Sequence, residues 1–173
     1  MPQVYVSVGS NVEREHNIRA AVHALRKNFN NVETSPVYEC KAEGFDGDDF
    51  YNLVVRFDTD DSLERLCDRL AQIEAAQGRV RTDARYAPRT LDIDVLLYGD
   101  IVRHDDRFDI PRRDIVVYAH VLGPLLALAP NLRHPETGEQ LADRWRQFDE
   151  KAGLHVVTLD FNAAPTTDVR SAR

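Results

Sequence analysis

Residues 91–98, LDIDVLLY, set the tightest limit on how this chain folds. The run has the apolar, β-favouring character of a strand, yet it carries two carboxylates one residue apart. Side chains alternate along a strand, so Leu91, Ile93, Val95 and Leu97 are expected on one face as core. Asp92 and Asp94 then share the other face, which continues to Leu96 and Tyr98. A half-buried carboxylate is costly unless something neutralises it. The segment therefore calls for a sheet face that supplies positive charge.

That charge stands immediately upstream. Residues 79–91, RVRTDARYAPRTL, hold Arg79, Arg81, Arg85 and Arg89 against the single Asp83. A guanidinium fork stays charged and holds a phosphate through two parallel hydrogen bonds. Surface ion pairs are the plain alternative, each worth about 0–1 kcal/mol. Two carboxylates whose Cα atoms are about 6.6 Å apart can converge on one cation or on a pair of them. Mg²⁺ suits such a site, because it takes one or two carboxylates and fills the rest with water and phosphate oxygens. Solvation, or pairing with the arginines, is the other reading of the same two residues.

The remaining chain supplies the frame. Residues 3–8, QVYVSV, alternate as a strand and end at Gly9-Ser10-Asn11, which serves either as a site wall or as a turn with a helix cap. Ile18, Ala21, Val22 and Leu25 then share one helical face. A second strand over 32–40 is interrupted or edge-placed by Pro36. The acid-and-glycine loop 41–49 leads to a third strand from Phe50. A second helix is expected to start at Asp61, with Glu64 answering as in a capping box, and to stop at Gly78. Leu63, Leu66, Leu70 and Ile73 are its apolar face. After Tyr98, Gly99-Asp100 suggests a tight turn into a hairpin partner, IVRH, and a short helix follows around GPLLALAP. The order strand–helix–strand–strand–helix–strand is that of an α+β, ferredoxin-like antiparallel sheet with helices packed on it. A domain over 1–136 and an extension of it over 137–173, frayed from about Phe161, are expected.

Composition narrows the function classes. At 173 residues the chain suffices for one domain with a hydrophobic core, and a net charge of −7 speaks against a nucleic-acid partner. Its longest nearly apolar run, VLGPLLALAP, is far short of a bilayer span, and the first residues lack the pattern of a signal peptide. Cys40 and Cys67 form neither a metal spacing nor a disulfide framework, which fits a reduced, cytoplasmic setting. P-loop and Rossmann signatures are absent.

The run PRTLDIDVLLYG resembles the signature of the 6-hydroxymethyl-7,8-dihydropterin pyrophosphokinase family. The resemblance extends through VYVSVGSN, FYNLVV, IEAAQGRVR and GPLLALAPNLRHP and covers about residues 3–136. It implies transfer of pyrophosphate from ATP to the pterin hydroxymethyl group with release of AMP, two Mg²⁺ ions, a ferredoxin-like fold and a monomer. By position it implies that Asp92 and Asp94 hold both ions. Glu74, Arg79, Arg81, Tyr86, Arg89, Val95 and Arg107 line the ATP side, with Arg79 and Arg89 the catalytically weighted arginines. Phe50 and Asn52 belong to the pterin pocket, Gly44 to its wall, and His120 to the second stacking position.

The chain departs from the family at several of these places. Cys40-Lys41-Ala42-Glu43-Gly44 replaces a Thr-Pro-Pro-x-Gly run, and Tyr86-Ala87 a tryptophan-glycine. Arg112 stands for a histidine, Tyr118 for an arginine and His120 for a phenylalanine. These changes leave a modified pterin, or binding without turnover, as alternatives to the family activity.

Overall fold

The alternating and helical periods of the sequence become, in a computed structural model, a twisted antiparallel sheet covered on both faces. The structure describes residues 1–41, 49–77, 91–148 and 153–162. Gly44, Gly78, Arg79, Arg81, Tyr86 and Arg89 lie outside the described residues, as does the stretch after Asn162.

Strand β1 (Gln3–Ser10) runs at the centre of the sheet, between β4 (Phe50–Asp58) and β5 (Asp92–Tyr98), antiparallel to both. Pro36 interrupts the second strand, as its missing N–H demands. It divides into β2 (Asn30–Thr34) and β3 (Val37–Cys40), both paired with β4. A short C-terminal strand, β8 (His155–Val157), pairs with β3 and makes the sheet order β5-β1-β4-β3-β8. This is the ferredoxin-like arrangement, with β5 at one edge.

Helices α1 (Arg14–Asn28) and α2 (Leu63–Ala76) cover one face. Their Ile18, Val22, Leu25, Leu66, Leu70 and Ile73 pack on Val4, Val6, Val8, Leu53, Val55, Ile93 and Val95. The other face is covered by α3 (Asp114–Val117), α4 (Ala119–Leu128) and α5 (Leu141–Trp145), whose Ile115, Leu122, Leu125 and Leu141 meet Tyr5, Val54, Leu96 and Leu97. Among the described residues no helix is long and apolar enough to cross a membrane.

Three local expectations are corrected. The cap of α2 is Ser62, whose Oγ accepts from the Arg65 N–H at 3.2 Å. Asp61 instead pairs with Arg65 and Arg69, and Glu64 with Arg103, so the capping box does not form. Secondly, strict alternation fails in β5. A register shift lies where Tyr5 pairs Leu97 while Val6 pairs Val95, leaving Leu96 as an extra residue. Leu97 therefore joins the α4 face, and Tyr98 the α2 face, where its hydroxyl donates to the Asp61 carbonyl. Thirdly, Gly99 does turn the chain with φ +52°, but the following segment does not return along β5. It forms β6 (Arg103–His104), which pairs with β7 (Asp109–Ile110) in a separate ribbon.

Candidate active site

Register assembles the site. Residues directly opposite in an antiparallel ladder share a face. Asp92 opposes Gly9, Gly9 opposes Asn52, and Asn52 opposes Tyr38. One row further in, Asp94 opposes Ser7, which opposes Val54. Both aspartates, Asn52 and, by alternation, Phe50 thus stand on the face that α4 covers, at the end of the sheet where β1 finishes. Adjacent strands are about 4.8 Å apart, so the Asp92 and Asn52 backbones are separated by about 10 Å.

Gly9 lets the Asn52 side chain lie across the strand between them. A Cβ placed on it would lie 2.8 Å from Asn52 Oδ1, closer than side chains tolerate. The Asn52 carboxamide accordingly leans over a backbone with no side chain, while its Nδ2 donates to Cys40 Sγ at 2.7 Å. Of the two readings of Gly9-Ser10-Asn11, the helix cap does not form. Ser10 Oγ donates to the Val12 carbonyl, and the residue at the cap of α1 is Glu13, without a capping side-chain bond.

A second space opens along the free edge of β5. It is a cleft of about 510 Å³ between α2 and the β6–β7 ribbon, lined by Glu74, Asp94, Val95, Arg107 and Arg112 among others. Glu74 is buried, and its Oε1 accepts the Ile93 N–H at 3.1 Å, so this carboxylate caps the unpaired edge of the strand. Arg107 is exposed, pairs with Asp68 at 3.7 Å and lies over the Phe108 ring. Cys67 lines the same cleft, and burial raises its thiol above the ordinary value.

Asp94 is the residue shared by the cleft and the face. Its Oδ2 lies 3.8 Å from Arg112 Nη2. Burial works against the Arg112 charge, but Asp94 and Asp114 outweigh it and hold the guanidinium above its usual pKa. Sequence reasoning marked Arg112 only as a departure, because contact with Asp94 arises from the ribbon turning back across β5. Gly9 carried one local signal, a glycine at the end of a strand, which often marks close approach.

His120 sits in the first turn of α4, half-buried and stacked on Tyr118 with ring centroids 5.1 Å apart. Among the described residues no group of three or more His, Cys, Asp or Glu side chains is set to hold a metal ion. Two neighbouring carboxylates without imidazole or thiolate ligands match Mg²⁺, which draws its other ligands from water and phosphate. The donor set fits that ion.

Comparison with known proteins identifies the family. The family model for 7,8-dihydro-6-hydroxymethylpterin-pyrophosphokinase (HPPK) matches residues 5–130. The chain is similar to a 2-amino-4-hydroxy-6-hydroxymethyldihydropteridine pyrophosphokinase of Pseudomonas aeruginosa, 41% identical over 138 residues, covering 78% of this chain and 85% of the relative. A protein of the same description from Haemophilus influenzae is 37% identical over 142 residues, 79% of this chain and 88% of that one. Among solved structures, an HPPK-DHPS of Plasmodium falciparum superposes with a TM-score of 0.66 at 13% identity. That match covers 85% of this chain, which spans only 43% of the Plasmodium chain, and it speaks to the fold alone. The fold and the family match define a diphosphotransferase built on a ferredoxin-like sheet. The chain belongs to the 7,8-dihydro-6-hydroxymethylpterin-pyrophosphokinase family, an ATP-using family of folate biosynthesis.

Proposed function

We propose that the protein moves the terminal diphosphate of ATP onto the hydroxymethyl oxygen of 6-hydroxymethyl-7,8-dihydropterin, with Asp92 and Asp94 as the ligands of two Mg²⁺ ions. The pterin oxygen gains a bond to the β-phosphorus and gives up its proton to water, the bond between that phosphorus and the α,β-bridging oxygen breaks, and AMP leaves with that oxygen. When bound, the ions polarise the β-phosphate and offset charge on the attacking and leaving oxygens.

The protein's own residues do the positioning. Asn52 offers a donor and an acceptor to the pterin edge, and Phe50 and His120 offer flat surface on either side of it. Gly9 lets the Asn52 side chain lie across the strand toward Asp92, about two strand spacings away. ATP is assigned to the cleft along β5. The alternation that turns the Ile93 N–H outward to Glu74 turns the Val95 N–H outward too, so the strand edge can read a base as it would another strand. Arg107 lies beside that cleft, and Arg79, Arg81, Tyr86, Arg89 and Gly44 are assigned by resemblance. Transfer of this kind needs alignment and charge stabilisation more than a covalent participant.

The single observation that carries this reading is the row Asp92–Gly9–Asn52, with Asp94 one row further in, which puts the two acids and the Asn52 amide on one face. The same reading takes the protein as a cytoplasmic monomer. Among the described residues Cys40 and Cys67 are not joined in a disulfide, and the large apolar side chains that are exposed are few. The test is chromatography of nucleotides after incubation with ATP, Mg²⁺ and the pterin. AMP equimolar with pterin diphosphate, lost in Asp92→Ala and Asp94→Ala, is expected; ADP as the product refutes the assignment.

A further inference from the structure

We infer that Arg112 is a counter-charge that Asp94 gives up for its metal ion, so that this arginine competes with the cation for one carboxylate. The inference rests on the proposed role of Asp94 as a metal ligand. Arg112 is fixed at two other points. Its backbone N–H donates to the Leu96 carbonyl at 2.9 Å, and its Nε donates to Asp114 Oδ2 at 2.9 Å. Only the outer nitrogen, Nη2, reaches toward Asp94, and at 3.8 Å it is beyond hydrogen-bond range. The contact is therefore a charge interaction without a directional bond, between groups each about one-third exposed.

Such a contact adds positive charge beside a half-buried carboxylate, yet Arg112 gives way to a divalent ion without losing a hydrogen bond of its own to Asp94. The Asp114 bond and the Leu96 bond survive the exchange, so the displaced guanidinium stays at the wall of the cleft. Arg107, the other described cation lining it, is engaged by Asp68 at 3.7 Å, and the acids Glu74 and Asp109 line the same space. Asp114 thus divides the guanidinium's charge between itself and Asp94.

The inference makes two predictions of opposite sign. Mn²⁺ binding to the nucleotide-free protein, read by electron paramagnetic resonance, is the probe. Arg112→Gln removes the competitor and is expected to tighten Mn²⁺ binding about three- to tenfold. Arg112→Lys keeps the charge and stays within about twofold of wild type. Asp114→Asn leaves more of the Arg112 charge to Asp94 and weakens Mn²⁺ binding about twofold or more. An Asp94→Asn control loses the wild-type site. If Asp94→Asn binds Mn²⁺ as wild type does, the metal assignment of Asp94 falls, and this inference with it. If Asp94→Asn loses the ion but Arg112→Gln binds it no more tightly, or Asp114→Asn no more weakly, the metal assignment stands and the competition is refuted. The Asp114→Asn arm decides the matter should Arg112→Gln fail to fold.

Discussion

Asn52 hangs over Gly9 so closely that a methyl group on Gly9 would meet the Asn52 carboxamide oxygen at 2.8 Å. The relationship couples a backbone position to the side chain of Asn52, proposed above to meet the pterin, across two strands. Gly9→Ala is expected to push the amide aside and weaken pterin binding about tenfold, while ATP binding stays within about twofold. Because strands disfavour glycine, global stability changes by less than about 1 kcal/mol. Calorimetric titration with each ligand separately checks this; equal losses for both would show that the substitution merely disturbs the sheet.

The aspartate pair predicts activity loss with little stability loss. Asp92→Asn and Asp94→Asn each remove a charge that the proposed function assigns to the metal site. Turnover should fall at least about 100-fold. Neither residue belongs to the apolar clusters of the sheet, so the urea midpoint should change little, falling slightly more for Asp94→Asn, which gives up the Arg112 contact, than for Asp92→Asn. A large drop in midpoint would make the pair structural.

Glu74 tells the opposite story. Its buried carboxylate satisfies the Ile93 N–H on the free edge of β5. Glu74→Ala strands that donor and is expected to cost about 1–3 kcal/mol of stability, whereas Glu74→Gln keeps an acceptor and costs about 1 kcal/mol or less. Denaturant unfolding of both variants distinguishes edge capping from a purely ligand-binding role, for which the two would unfold alike.

The periods of the sequence were enough for the helices, most strands and the acidic face of β5, because each depends on residues close in the chain. What they could not supply was relational. The extra residue at Leu96 exists only with respect to β1, so nothing within LDIDVLLY announces that Leu97 and Tyr98 change faces. Asp61 and Ser62 are both good capping residues, and only tertiary pairing of Asp61 with Arg69 decides between them. The glycine turn after Tyr98 was legible, but the departure of β6 from β5, which leaves the cleft edge open, was not. Arg112 meets Asp94 for the same non-local reason.

His104 gives the fold a pH signature. Its Nε2 faces Glu136 at 2.9 Å and its Nδ1 faces Asp109 at 2.7 Å, tying β6 and β7 to the turn after His134. Arg113, His134, Glu139 and Arg144 line the adjoining cavity of about 310 Å³. Hydrogen bonding to Glu136 first, then to Asp109, raises the imidazole pKa above its ordinary value. A raised folded pKa contributes stability fully below the unfolded pKa, about 6.5, and loses it as pH rises through the folded value. Wild type should therefore lose stability relative to His104→Gln between about pH 6.5 and alkaline pH. Unfolding curves across that window check it, and parallel profiles for the two proteins would contradict it.

The most direct test of the central claim is anomalous diffraction from crystals grown with Mn²⁺, a non-hydrolysable ATP analogue and the pterin. The account predicts manganese peaks within about 2.0–2.2 Å of carboxylate oxygens of both Asp92 and Asp94, on the face that also holds the pterin against Asn52. Manganese bound elsewhere with the nucleotide in place, or a pterin seated away from Asn52, would contradict it.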